Sequence, residues 1–320
     1  MKVITLRQLR HRWPLYLLIL PAMALILTFS YFPAASGVYH AFFRWDGDEI
    51  SEYVGLANFY RALDEIQDFH FGRLGGAFIV VMIFILANFV KMVPSIITAV
   101  VVHRVTSERA RYLYRVAFVI PMIIPGMVAL LIWKYFYDPT VGVLNGLLDA
   151  TGLMDLLRNL DATFGWGVFV AHANPAWLGQ EQLIIPSLIF WGFPWVGVMS
   201  VLLYLSGLGN IGQDIYDAAE IDGCGWIRKF WNIELPLILT QVRLNLILMI
   251  IGTLQDWAFL FILLGDGGGP NGVAMVPGLY MFRLAFRAGE AGYACGIGLL
   301  LFFLILVLTM INNRYVRVSK

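Results

Sequence analysis

The sequence predicts an all-α, polytopic membrane protein with six transmembrane helices. Of its 320 residues, 60% are hydrophobic and 13% charged, whereas soluble domains hold about 45–50% apolar and about 25% charged residues. The apolar residues are also blocked into stretches near the roughly 20 residues that a crossing helix needs. The alternating strands of a transmembrane barrel are not present in the pattern. A net charge of +1, from 22 basic and 21 acidic side chains, excludes a polybasic nucleic-acid binder and an acidic disordered chain. The two cysteines, Cys224 and Cys295, are too few for a disulfide framework.

The first span covers about 14–38. Lys2, Arg7, Arg10 and Arg12 precede it, as in a signal peptide. It is long, has no clear small-residue cleavage site and is followed by five more spans, so it reads as a retained helix. Residues 1–13 then form a cytoplasmic N-terminal segment and 14–320 the membrane domain. The second span, 77–102, is apolar except around Asn88, Lys91 and Pro94. The third, 113–136, contains Pro121 and Pro125. The fourth, 183–208, is weakened by Pro186, Gly192, Pro194 and Gly197. The fifth, 240–264, carries Asn245, Gln255 and Asp256. The sixth, 291–312, holds the run Ile297–Ile311.

Lysine and arginine set the orientation. With the N-terminus in the cytoplasm, fourteen basic residues fall on that side: Lys2, Arg7, Arg10, Arg12, Arg104, Arg109, Arg111, Arg115, Arg228, Lys229, Arg243, Arg314, Arg317 and Lys320. Seven fall outside: Arg44, Arg61, Arg73, Lys134, Arg158, Arg283 and Arg287. Lys91 lies within a span. Both termini are therefore expected in the cytoplasm of a multi-pass protein of the cell (inner) membrane.

Several activities are excluded. No lysine follows a glycine, so the phosphate-cradling G-x-x-x-x-G-K-[ST] loop is missing. If transport is ATP-driven, ATP and Mg bind another chain, and this chain holds no cofactor. No histidine opens an H-E-x-x-H pair, which removes the zinc-protease helix. No G-x-S-x-G elbow occurs.

The most informative stretch is the loop 209–239 between the fourth and fifth spans. It reads Ile215-Tyr216-Asp217-Ala218-Ala219-Glu220-Ile221-Asp222-Gly223, and later Ile233-Glu234-Leu235-Pro236. Asp214 is placed to cap a short helix, with Asp217 near its positive end. Ala218 and Ala219 make a slim surface that a partner can approach. Gly223 supplies a stop, and Pro236 marks the next helix start.

This loop resembles that of binding-protein-dependent ABC transporter permeases. Their pattern is Glu-Ala-Ala, three residues, Gly, nine residues, Ile, one residue, Leu-Pro. Ala218-Ala219, Gly223, Ile233 and Leu235-Pro236 keep the spacing, and Asp217 stands for the first Glu. The likeness to the sugar branch extends along nearly the whole chain. It is carried by Tyr31-Phe32-Pro33, Trp45-Asp46-Gly47, Gly55-Leu56-Ala57-Asn58-Phe59, Pro121, Pro125, Gly142-Val143-Leu144-Asn145, Trp177-Leu178 and Gly267-Gly268-Gly269-Pro270. It is similar to the larger membrane subunit of maltose-type importers, without the extra N-terminal helices.

The resemblance implies a second permease subunit, two ATP-binding subunits and an extracytoplasmic solute-binding protein as partners. It implies a sugar as substrate, membrane lipid as surroundings and no nucleic acid. It assigns Asp217, Ala218, Ala219, Glu220, Asp222, Gly223, Ile233, Leu235 and Pro236 to coupling with the ATPase.

Polar groups inside a membrane face a cavity or a partner. Thr253, Gln255, Asp256 and Trp257 cluster in the fifth span. Gln255 and Asp256 suit sugar hydroxyls, and Trp257 offers a flat face for a pyranose. By resemblance, Thr253, Asp256, Gly192 and Trp195 match sugar-contacting positions, within the stretch that Trp191 opens. Trp195 and Trp257 serve equally as packing aromatics. Lys91 either pairs, for instance with Asp256, or faces a watery path. An ion-coupled secondary transporter would show repeated spans and several intramembrane carboxylates. Only Asp256 is central in a span, and no repeat is visible. Glycerol-phosphate carriers resemble this branch too. With Lys91 as the only basic residue away from the ends of a span, a neutral sugar is expected.

The orientation has a direct test in a Cys224→Ser, Cys295→Ser background. Cysteine at Ser107 should react with an impermeant thiol reagent only from the cytoplasm, and cysteine at Asp161 only from outside. The reverse pattern at both sites rejects the orientation.

Overall fold

The computed structural model describes residues 6–49, 51–170 and 173–315. Lys2, Arg317 and Lys320 lie outside the described residues, as do the side chains of Arg7, Arg10 and Arg12. The chain is almost wholly helical, with one two-stranded hairpin among the described residues. It divides into two compact units.

The first unit comprises the described residues up to Leu63 together with Leu284–Leu300. Helix α1 (Leu6–Ile26) passes through a π turn, Leu27–Tyr31, into α2 (Phe32–His40). Phe32 donates its amide to the Leu27 carbonyl, five residues back. Pro33 follows directly, and a proline ring crowds the carbonyl four residues before it. The wider turn relieves that crowding. The apolar stretch Tyr16–His40 buries none of its most hydrophobic window within the chain, which is the surface that lipid or a partner covers.

Next come β1 (Phe43–Trp45) and β2 (Ser51–Tyr53), paired antiparallel with Arg44 opposite Glu52. Helix α3 (Ala57–Glu65) follows. Its Asn58 is buried, and Nδ2 donates to the carbonyls of Ala41 and Phe43, each at 2.9 Å. Helix α17 (Ala291–Tyr315) brings Gly292 and Gly296 to the same place. A Cβ on Gly292 would sit 2.1 Å from the Phe43 carbonyl oxygen, so only glycine allows this approach.

The second unit comprises Asp64–Arg283 and the described residues from Leu301 onward. Its core is made by α4 (Leu74–His103), α10 (Val198–Leu208) and α14 (Leu239–Gln255). Ile96, Ala99, Val100, Val201, Tyr204, Leu208 and Ile238 form one buried cluster. Each contributes the apolar stripe expected of a packed helix.

The expected third span is α5 (Glu108–Val119) followed by α6 (Gly126–Phe136), bent by 86°. Pro121 and Pro125 fall at the bend, where a missing amide and a fixed φ end one helix and start the next. Two amphipathic helices then follow, α7 (Val143–Ala150) and α8 (Leu153–Phe164). Asn145 accepts the Trp177 indole N–H at 2.8 Å. Asp161 is buried and accepts the amides of Gly167, Val168 and Phe169. Burial works against ionisation, yet these backbone donors hold its carboxyl below the usual range. Asp161 is therefore no labelling position, and exposed Asp155 on α8 takes its place.

The expected fourth span is two short helices, α9 (Glu181–Phe190) and α10, on either side of residues 191–197. The loop 209–239 contains α11 (Gln213–Ile221), α12 (Trp226–Lys229) and α13 (Leu235–Leu237), the last two joined by a π turn, Phe230–Glu234. Helix α14 starts after a 68° bend. It stops at Gln255, and α15 (Ala258–Leu264) resumes after Asp256 and Trp257. The fifth span is thus also broken. Helix α16 (Pro277–Phe286) precedes α17. All six expected apolar stretches are helical. By length and composition three helices could cross a bilayer unaided, and two bent pairs add to these.

Gly292→Val should abolish folding of the first unit, because backbone rather than a flexible side chain occupies the Cβ position. Size-exclusion chromatography of the detergent-extracted protein is expected to show aggregate instead of a monodisperse peak.

Candidate functional site

A cavity of about 450 Å³ opens within the second unit. That volume lies in the range of about 300–1,000 Å³ typical of small-molecule sites. Its walls come from α4 (Phe84, Asn88, Lys91, Met92, Ser95), the break after α9 (Leu188, Trp191, Gly192, Trp195, Val196, Gly197), Ser200 of α10 and α14 (Asn245, Met249, Gly252, Thr253). Asp256 and Phe259 complete it.

Two broken helices create this space. Gly192 has φ of +79° and Trp195 φ of +60°. Glycine tolerates the first at little cost. The second strains a tryptophan by about 1–3 kcal/mol, and such strain persists only where surroundings enforce it. Ser95 does so from α4: its hydroxyl accepts the Gly197 amide at 2.9 Å and donates to the Trp195 carbonyl at 3.3 Å. Further bonds tie the walls together. Asn88 Nδ2 donates to Thr253 Oγ1 at 2.9 Å, Ser200 Oγ to Asn245 Oδ1 at 3.1 Å, and Asn245 Nδ2 to the Tyr204 hydroxyl at 2.7 Å.

The groups that border the space are distinct. The indole N–H groups of Trp191 and Trp195 are buried behind it without a hydrogen-bond partner. Trp191 stacks on Phe259 at 5.5 Å. Lys91 Nζ lies 5.9 Å from the centre of the Trp195 ring. The Asp256 carboxylate lies near the amides of Ala258 and Phe259. Lys91 and Asp256 both line the cavity, yet they form no ion pair with each other or with any described residue. The donors and acceptors, two aromatic faces and one charge of each sign can bind a polyhydroxylated ring without net charge.

Of the seven residues that the sequence marks for the path, Trp191, Gly192, Trp195, Thr253 and Asp256 line the cavity. Gln255 and Trp257 do not. Helix geometry explains Gln255, because Asn245, Met249, Gly252 and Thr253 share one face of α14 and Gln255 points off it. Trp257 instead stacks on Phe282 of α16 at 4.7 Å and packs over Gly278. Ser95 and Ser200 escaped sequence reasoning. The i, i+4 spacing from Lys91 to Ser95 was the available signal, since it sets both on one face.

The loop 209–239 differs from expectation at one cap. Gly212, not Asp214, is the N-cap of α11, and Asp214 lies in the first turn. Pro236 falls in the first turn of α13, which continues from the π turn. That turn widens the helix where the proline ring needs room. Gly223 does end α11, with φ of +67°. Its amide bonds Glu220 O at 3.0 Å and the Cys224 amide bonds Ala219 O at 2.8 Å, the two bonds of a Schellman stop. Nothing lies within 4 Å of a Cβ at Gly223, so this face is open. Asp217, Ala218, Glu220 and Asp222 are exposed around it, and Ala219 is buried. Leu235 and Pro236 are partly covered or open, and Ile233 is half-buried.

Beneath the loop lies Glu234, fully buried. It receives Arg104 Nε at 2.9 Å and Arg104 Nη2 at 2.6 Å. Breaking such a buried pair costs about 3–5 kcal/mol, because it strands the other charge.

The second unit thus pairs a cavity between broken helices with a loop helix whose outer face is open. The chain belongs to the family of binding-protein-dependent transport system inner membrane components, whose model matches residues 92–318. It is 27% identical over 318 residues to the multiple sugar-binding transport system permease protein MsmF of Streptococcus mutans, covering 97% of each chain. It is 26% identical over 307 residues to the sn-glycerol-3-phosphate transport system permease protein UgpA of Yersinia pestis, covering 95% of this chain and 94% of that one. Its fold matches a crystal structure of a bacterial alginate ABC transporter in complex with alginate pentasaccharide-bound periplasmic protein. The TM-score is 0.75 at 20% identity, over 97% of this chain and 96% of that one.

Proposed function

We propose that this permease subunit forms half of a sugar path in an ATP-driven importer. The observation that carries the substrate class is the cavity itself. It is lined by the polar side chains of Asn88, Ser95, Ser200, Asn245 and Thr253, the Asp256 carboxylate and flat aromatic walls, and its Lys91 and Asp256 charges cancel. A neutral saccharide bonds these groups and stacks on the rings, whereas an anion would face Asp256 without a second cation.

The chain crosses the inner membrane six times with both termini in the cytoplasm, as its basic residues favour. A second permease subunit supplies the facing half of the path, two ATP-binding subunits carry ATP and Mg, and a solute-binding protein delivers sugar from outside. The exposed ridge of α11, from Asp217 to Gly223, docks on an ATPase. ATP on that subunit and loaded binding protein outside favour different states of the bundle, which is the differential affinity that a switch requires.

Asp256→Ala should cut uptake about ten- to hundredfold, the value of one charge-assisted hydrogen bond of about 1.5–3 kcal/mol. Complex assembly and the binding protein's own affinity should stay unchanged. Uptake of labelled sugar into vesicles measures it, and wild-type uptake with normal assembly would remove Asp256 from the path.

Gly223→Asp should uncouple the importer. The substitution strains a left-handed position by about 1 kcal/mol and adds negative charge beside Asp217, Glu220 and Asp222. The subunit should still insert, while ATPase capture or stimulation by the binding protein is lost. A tag pull-down blotted for the ATPase, followed by a hydrolysis assay, reads both. Retention with normal stimulation would exclude the loop as the coupling element.

A further inference from the structure

We infer that His103 and Arg104, adjacent residues at the end of α4, join the coupling loop to the cavity wall, with Arg104 a positioning residue for energy coupling. The inference rests on the reading of α11 as the ATPase-docking element.

Three separate pieces of the loop converge on this pair. From α11, the Tyr216 hydroxyl bonds His103 Nε2 at 3.2 Å. From the start of α12, the Trp226 carbonyl accepts Arg104 Nη2 at 3.0 Å, and the guanidinium lies 4.5 Å from the centre of the Trp226 ring. From the π turn, Glu234 takes two Arg104 nitrogens. The Glu234 charge also acts on the Tyr216 hydroxyl. Burial pushes the Tyr216 hydroxyl up to about 12, with the Glu234 charge adding to the shift, so it keeps its proton as a donor.

The same helix then carries the cavity. Asn88, Lys91 and Ser95 of α4 line it, and Ser95 fixes the strained break at Trp195. At 1.5 Å per residue, Arg104 and Asn88 are about 24 Å apart along one continuous helix, with Ser95 on the near side of Pro94 and Asn88 beyond it. A displacement of α11 therefore reaches Ser95 through unbroken helix, before the one backbone bond that Pro94 removes.

The chemistry of the joint fits transmission better than mere adhesion. A fork-to-carboxylate pair fixes direction as well as distance. An apolar pair would stabilise as well or better, but it would allow sliding. A second cavity, of about 660 Å³, borders the joint and is lined by His103, Arg104, Tyr216 and Trp226. The polar bonds, not continuous packing, span that side. Glu234 also occupies the position that the Ile-x-Leu-Pro pattern leaves open, so the loop motif alone does not account for it.

The test uses the full complex of both permeases, ATPases and binding protein in sealed vesicles. Arg104→Met/Glu234→Leu replaces the pair by apolar groups, and Arg104→Lys keeps the charge without the fork. The readout is sugar imported per ATP hydrolysed, together with stimulation of hydrolysis by loaded binding protein. Expected are intact assembly, unstimulated hydrolysis near wild type, and a fall of about tenfold in sugar per ATP for the double variant, with Arg104→Lys intermediate. If the double variant does not assemble, Arg104→Lys and Tyr216→Phe decide by the same ratio. An unchanged ratio, or losses of transport and hydrolysis in proportion, overturns the joint as a transmitting element. Gly223→Asp separates the two readings: uncoupling there with a normal ratio here rejects the joint alone, whereas normal coupling in both rejects the loop reading as well.

Discussion

The hydroxyl of Ser95 accepts the Gly197 amide and donates to the Trp195 carbonyl. In a bilayer every backbone polar group needs an internal partner, because no water is there to replace one. A helix that breaks inside the membrane frees such groups, yet without breaks there is no cavity and no path. One buried serine on α4 resolves the conflict at the fourth span. It satisfies an orphan donor and an orphan acceptor together, and by doing so holds Trp195 in its strained conformation. Trp191 and Trp195 then stand in the cavity wall.

The same economy governs the other breaks. Asp256 interrupts the fifth span, and its carboxylate lies near the amides of Ala258 and Phe259 at the start of α15. Pro33 and Pro236 each come two residues after a π turn, which makes room for the ring. The helix continues past Pro33 but bends by 68° just after Pro236. Pro121 and Pro125, with no such turn before them, fall at an 86° bend. Pro94 and Pro186, by contrast, lie inside unbroken helices. The breaks after α9 and α14 border the cavity.

Helix α4 links these features to the loop. Its middle face supplies the cavity and the serine, and its last residues grip the loop through a buried charge pair. Burying Glu234 is tolerable because Arg104 gives it two bonds, one to each carboxylate oxygen. The open face of α11 lies on the far side of that grip, with Gly223 keeping its end free of bulk. Structure and chemistry therefore run in one line from an exposed acidic ridge, through a polar joint, to a polar cavity.

Composition and blocking of apolar residues were enough to determine an all-helical membrane chain, because a bilayer tolerates few alternatives. The spacing from Ala218 to Pro236 was enough to find the loop, and the Gly223 stop followed from local backbone preference. Five of the seven residues marked as polar or aromatic groups in apolar surroundings line the cavity. Only tertiary structure decided the rest. Gln255 and Trp257 neighbour Asp256 in sequence, but the end of α14 at Gln255 turns them elsewhere, and Trp257 finds Phe282. Ser95 looked unremarkable, as serine in a helix usually does, until α10 came within bonding distance. The partner of Arg104 lies 130 residues away. Local sequence fixes which groups a segment offers, whereas which of them meet depends on the packing of helices distant in the chain.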